Sequence, residues 1–194
     1  MLKLTEAFNS KKVFILVALL FISILLLINN STTIIRMAYP TKYKETVELY
    51  STRFDVDSNL VYAVIKAESG FSENAVSKKN ALGLMQITKT TGAWGASELK
   101  IDNYSHEYLF NPDTNIMIGC WYLSTLMKEF NNDLQLTLTA YNAGSGNVSQ
   151  WLEDKRYSQD GGNLIDIPFN ETQKYVKKVN EYYEVYKRLY GNKK

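Results

Sequence analysis

The chain has 194 residues, 45% of them hydrophobic and 22% charged, which fits one folded domain with an accessory segment and excludes a wholly disordered protein. Lys and Arg number 22 against 20 Asp and Glu, a balance too even for a nucleic-acid binder. One cysteine, Cys120, excludes an internal disulfide or a cysteine-rich zinc site, and one histidine, His106, removes most metal and Ser-His-Asp chemistry.

At the amino terminus Lys3, Lys11 and Lys12 precede an uncharged run, Val13 to Ile28, built almost wholly from Val, Ile, Leu and Phe. As a helix that run spans about 24 Å, and the uncharged residues through Ile35 extend it to a hydrocarbon core of about 30 Å. A signal peptide shares the same pattern, but no A-x-A-like cleavage site follows Ile28 and no cysteine here accepts a lipid. The expectation is an uncleaved membrane anchor over residues 1–36, with the lysines cytoplasmic and residues 37–194 on the outer side of the cell membrane.

The remainder reads as helical. Tyr43, Val47, Tyr50 and Phe54 form one stripe. Asp57 is placed to cap a helix carrying Leu60, Val61, Val64 and Ile65, with Gly70 just past its end. Asn111-Pro112-Asp113 reads as cap, first-turn proline and first-turn acid, ahead of the stripe Ile116, Cys120, Leu123, Met127 and Phe130. Leu134, Leu136, Leu138 and Ala140 alternate like a strand, yet Leu134, Leu138 and Tyr141 also share a helix face; the helical surroundings favour the helix. Asn170 and Gln173 fit a capping box, followed by Val176, Val179, Tyr183, Tyr186 and Tyr190. The expected architecture is all-α, behind a single N-terminal transmembrane helix.

The chemistry centres on Glu68. It continues the Leu60–Val64 face at a spacing of four, so its carboxyl belongs to the buried side of its helix. It also lies in the last turn, where the negative end of the macrodipole disfavours an anion. Desolvation and dipole both act to raise its pKa, which suits a general acid for a poor leaving group.

Four blocks surround this residue in order: Glu68-Ser69-Gly70-Phe71 with Ser77, Gly83-Leu84-Met85-Gln86, Ala140-Tyr141-Asn142-Ala143-Gly144, and Glu171-Thr172 with Tyr175-Val176. Together they resemble the catalytic domain of the soluble lytic transglycosylases, bacterial relatives of goose-type lysozyme, from about Tyr39 to Leu189. The resemblance implies a lysozyme-like helical domain that cleaves the β-1,4 bond between N-acetylmuramic acid and N-acetylglucosamine in peptidoglycan. It implies Glu68 as the sole catalytic carboxylate, first acid and then base, closing a 1,6-anhydro ring without water.

By the same resemblance Ser77, Met85 and Gln86 line sugar subsites, and Gly83 lets backbone approach the carbohydrate. Tyr141 positions the acetamido group or the intermediate, Asn142 belongs to the same binding set but holds local backbone together, and Glu171 and Tyr175 lie at the groove near the acid. Residues 86–89 run Gln-Ile-Thr-Lys, where the family pattern has methionine then proline, so Thr88 is a departure. The expected partners are glycan strands and, through the amino terminus, the membrane; no nucleic acid, metal or cofactor is expected. Two alternatives stay open: a hydrolytic muramidase using a second acid among Glu73, Asp102 and Asp113, and a catalytically silent wall-binding module.

Overall fold

The computed structural model of the chain describes residues 10–191, with the side chains of residues 10, 11, 24 and 26–32 outside that description. Lys3 and the Lys11 side chain, two of the three lysines of the expected basic flank, therefore lie outside the described residues. The chain forms two compact units, residues 1–40 and 41–194.

Within the first unit, α1 runs over Ser10–Ala38. Its described apolar side chains, among them Phe14, Leu16, Leu20 and Phe21, are exposed. Among the described residues no helix is long and apolar enough to cross a membrane. Part of the expected apolar run, Ile24 and 26–28, contributes no described side chain.

The second unit comprises α2 (Lys44–Phe54), α3 (Ser58–Glu68), α4 (Lys89–Glu98), a short 3₁₀ turn (His106–Phe110), α5 (Pro112–Glu129), α6 (Leu134–Ala143), α7 (Ser145–Glu153) and α8 (Asn170–Tyr190). Among the described residues extended pairing is limited to isolated antiparallel bridges, Val76 with Leu82 and Leu82 with Ile87. The all-α expectation holds, and residues 134–143 are helix, not strand.

α3 is the helix on which the rest is assembled. Asp57 caps it by accepting the Asn59 amide at 2.8 Å, and it ends at Ser69 with Gly70 left-handed at φ 57°. Leu60, Val61, Val64 and Ile65 are buried between α2 and α8, each contributing roughly 1.5–3 kcal/mol of apolar burial. α5 opens as its sequence requires, with Asn111 accepting the Thr114 amide at 3.1 Å and Pro112 in the first turn. Ile116, Cys120 and Leu123 are fully buried along it.

Two helix starts differ from expectation. Tyr43 precedes α2 in a left-handed conformation at φ 59° instead of joining its stripe as a helical residue. Asn170 is already the first helical residue of α8, so no capping box forms. Phe169 occupies the cap position without a side-chain bond, and Gln173 donates instead to the Asp166 carboxylate at 2.7 Å.

Candidate active site

The C-terminal end of α3 delivers Glu68 into a cleft. Ser69 donates its hydroxyl to the Leu84 carbonyl at 2.8 Å, fastening the helix end to the turn 82–87. Lys178 of α8 donates to the Ala67 carbonyl at 2.8 Å, placing an ammonium on the negative end of the helix. Two adjoining cavities meet at Glu68. One, of about 500 Å³, is lined by Ser77, Lys78, Lys79, Gln86, Thr88 and Tyr141 with Asn142 and Glu171. The other, of about 300 Å³, adds Ala67, Lys174, Tyr175 and Lys178. A larger hollow of about 760 Å³ lies elsewhere, around Glu129, Asp133, Glu153 and Asp160, and does not include Glu68.

Burial raises the Glu68 pKa from 4.5 to about 7; the Tyr175 hydroxyl and the Lys178 charge oppose that rise, and Glu171 adds to it. The direction matches the expectation, but the physical cause is loss of water. The helix-end field is offset by the lysine seated on it. Tyr175 and Tyr141 are both held well above the ordinary tyrosine range, first by burial and then by the neighbouring Glu68 charge, so both stay neutral donors. The Tyr175 hydroxyl is buried beside the Glu68 carboxyl, the group it favours in its charged form.

The structure brings Glu68, Ser77, Gln86, Tyr141, Asn142, Tyr175 and Glu171 to these two cavities. It also shows how each is engaged. Gln86 sits at φ 49°, a left-handed conformation costly for a residue with a Cβ, and spends its amide hydrogens on the Gly83 and Ala75 carbonyls at 2.8 and 3.1 Å. Its side-chain oxygen is left as the acceptor. Ser77 accepts the amides of Lys79 and Ala81 at 3.2 and 3.0 Å. Tyr141 donates to the Met85 carbonyl at 2.8 Å, so its hydroxyl offers a ligand an acceptor. Asn142 accepts from Thr172 at 2.8 Å and ties α6 to α8.

Met85 and Gly83 need correction. Met85 is fully buried, its sulfur occupying the space a Cβ on Gly119 would fill, so its side chain faces the core and not a sugar. Gly83, at φ 75°, is required by the Leu109 carbonyl and the Asn115 amide packed against it on the inner side. Thr88 lines the cleft and caps α4 by accepting the Thr91 amide at 3.2 Å.

Sequence reasoning missed Asn115. This fully buried side chain accepts the Met85 amide at 2.8 Å and donates to the carbonyls of Leu82 and Leu109 at 2.9 and 2.8 Å. It is the internal frame of the 82–87 turn. The signal was a polar residue between the apolar positions Ile116 and Cys120 and their cap. Lys178 is likewise absent from the motif blocks, yet it is half-buried and bonded to the Ala67 carbonyl.

Of the other carboxylates, Glu73 accepts from Tyr43 at 3.0 Å and Asp113 from Tyr50 at 2.8 Å; neither they nor Asp102 lines the Glu68 cavities. His106 rests on the Asn80 carbonyl at 3.2 Å, and Cys120 is buried with a raised pKa, unsuited to nucleophilic work.

The site is a buried acid at the base of a cleft in an all-α domain, and comparison with known proteins gives that arrangement a family. Residues 45–163 match the transglycosylase SLT domain family. The chain is 32% identical over 157 residues to the soluble lytic murein transglycosylase of Escherichia coli K12, covering 80% of this chain and 24% of that protein. It is 32% identical over 181 residues to the membrane-bound lytic murein transglycosylase C of Edwardsiella ictaluri, covering 76% and 47%. The structure of an inactive glutamate-to-glutamine mutant of the lytic transglycosylase Slt from Pseudomonas aeruginosa superposes with a TM-score of 0.69 at 32% identity, over 79% of this chain and 25% of that one. This chain belongs to the SLT transglycosylase domain family, with its lysozyme-like fold. It spans between a quarter and a half of the relatives it matches.

Proposed function

We propose that residues 41–194 form a peptidoglycan lytic transglycosylase that cleaves the MurNAc-β-1,4-GlcNAc bond without water. One observation carries the reading: Glu68 is the cleft carboxyl whose burial holds its proton to about pH 7. In the first step Glu68 gives that proton to the glycosidic oxygen as the C1–O bond breaks, and the substrate's 2-acetamido oxygen closes on C1 to an oxazolinium ion. The Glu68 carboxylate then takes the proton from the C6 hydroxyl, whose oxygen displaces the acetamido group and forms the 1,6-anhydro ring. The acid is restored and no water is consumed, a substrate-assisted departure from the two-carboxylate scheme.

Tyr175, whose buried hydroxyl favours the charged form of the acid, stabilises the carboxylate between the two steps. Glu171 lies on the same cleft and, as a carboxylate, holds the Glu68 proton on. The placement of Glu73 and Asp113 on tyrosines elsewhere supports the non-hydrolytic reading over the muramidase. The inactivity of the Pseudomonas relative when a glutamate becomes glutamine supports a glutamate as the acid.

The N-terminal unit, residues 1–40, is proposed as a membrane anchor that holds the catalytic unit on the wall side. The exposed apolar side chains of α1 and the membrane-bound character of the Edwardsiella relative support this. Digestion of purified peptidoglycan by the full chain, followed by mass spectrometry, tests the chemistry. The expected products carry anhydro-muramic ends, lighter by one water than reducing ends, and Glu68→Gln abolishes them. Reducing ends would replace this mechanism with hydrolysis; turnover by Glu68→Gln would remove Glu68 as the acid.

A further inference from the structure

A row of aromatic rings leads out of the cleft. Tyr141 lines it beside Glu68. The Tyr122 ring lies 5.4 Å from Tyr141, Trp94 lies 6.2 Å from Tyr122, and Trp94 meets Trp121 edge to face at 4.8 Å. Exposure rises along the row: Tyr141, Tyr122 and Trp121 are half-buried, and Trp94 is 46% exposed. Trp151 is buried, so Trp94 is the one tryptophan left open to solvent. A purely structural indole gains by burying more of its surface than this.

The backbone under Trp94 holds it still. A Cβ at Gly95 would come within 2.8 Å of Ile118 and 3.0 Å of the Trp121 ring, so α4 can lie this close to α5 only because that position is glycine. The two indoles are locked at 82° to each other. A ring fixed in advance loses little rotamer freedom when a ligand stacks on it.

The position is also telling. Thr88 lines the cleft and caps α4, and Trp94 stands six residues on, about 9 Å along the helix axis. α4 therefore starts at the cleft wall and carries Trp94 away from it. A pyranose presents C–H groups on its faces and hydroxyls at its rim. A flat, open indole matches the faces. The other exposed aromatics of this unit lack such continuity: Tyr108 pairs with Tyr104, and Phe169 with Trp151.

We propose that Trp94, braced by Trp121, is a stacking platform that extends the Glu68 cleft along α4 and binds a glycan strand beyond the cleaved linkage. This rests on the reading of the cleft as glycan-cleaving. Its continuity with the cleft through Tyr122 and Tyr141 selects a glycan as occupant over a second copy of this chain.

The test uses the full chain carrying Glu68→Gln, which keeps strands uncut, titrated with purified glycan strands or with a tetrasaccharide fragment while tryptophan emission is followed. Long strands are expected to produce a saturable change in emission. Adding Trp94→Ala weakens binding of long strands about tenfold, but of the tetrasaccharide by less than about twofold, the scale of one aromatic stacking contact. Trp94→Phe retains most of the affinity, and Leu49→Ala, at an exposed apolar position on α2, changes neither. Circular dichroism identifies any variant that fails to fold, and Trp94→Phe then carries the test as a graded loss for long strands alone. Unchanged affinity for long strands in Trp94→Ala overturns the platform, as does an equal loss for both ligands. An emission change that tracks protein concentration without glycan assigns the face to self-association and overturns it too. If the wild-type chain leaves purified wall uncut while the length-dependent effect of Trp94 persists, the catalytic reading fails and the platform stands.

Discussion

Glu68 carries two opposed demands, and its surroundings show which prevails at each pH. Burial favours the neutral acid, while Tyr175 and Lys178 favour the carboxylate, and the balance falls at about 7. A donor must be protonated in the free enzyme, so kcat/KM is expected to hold below pH 7 and to fall about tenfold per pH unit above it. Glu171→Gln removes a charge that raises the Glu68 pKa, so the falling limb moves to lower pH. Tyr175→Phe removes a group that lowers it, so the limb moves up while kcat drops. A pH–rate series on the three proteins checks both signs. Stability runs the other way from the usual carboxylate. The folded pKa lies above the unfolded 4.5, so the native state binds more protons between 4.5 and about 7 and loses stability as pH rises through that window. Glu68→Gln is therefore expected to stabilise the fold at pH 8 by up to roughly 3 kcal/mol and by nothing at pH 4, read from urea unfolding at the two pH values.

At the scale of elements, the turn 82–87 holds Gln86 against the acid, and its frame comes from α5. Asn115→Ala would leave the Met85 amide and the Leu109 carbonyl without their partner in a dry interior, and the Leu82 carbonyl with the Ile87 amide alone. The expected loss is at least about 3 kcal/mol, with turnover falling further than Gln86→Ala lowers it, because the whole turn is released. Thermal melts and wall-clearing assays on the two variants check this. The same element shows what sequence could and could not reveal. Glu68 was legible because Leu60 and Val64 fix its face, and the caps at Asp57 and Asn111 were legible from their residue types. Met85 was misplaced because a motif conveys that a position matters without conveying which way the side chain points; here its backbone holds Tyr141 and Asn115 while the sulfur fills the core. α4 left no readable stripe because Gly92 and Gly95, poor helix formers, serve close approach to Tyr104, Ile118 and Trp121. α7 was hidden because it begins directly after Gly144, with no linker to mark it.

At the scale of the molecule, each part of the proposed site is drawn from residues 41–194. The acid comes from α3, its hydroxyl partner and lysine from α8, the amide from the turn 82–87 and the platform from α4 and α5. That unit also holds the buried apolar core, from Val47 to Tyr186, and so has the burial a domain needs to fold alone. Among the described residues, the unit of residues 1–40 contributes none of the buried ones and exposes most of its apolar side chains, which fits a surface requiring a lipid phase. Separation of the two should therefore divide their properties cleanly. A protein comprising residues 41–194 is expected to melt cooperatively, to clear purified wall and to remain in the supernatant of a membrane pelleting assay. The full chain is expected to pellet with membranes and to resist alkaline carbonate extraction. If the excised unit loses cooperative melting, the first forty residues belong to the catalytic fold; if carbonate strips the full chain from the membrane, the anchor reading is lost while the cleft chemistry stands.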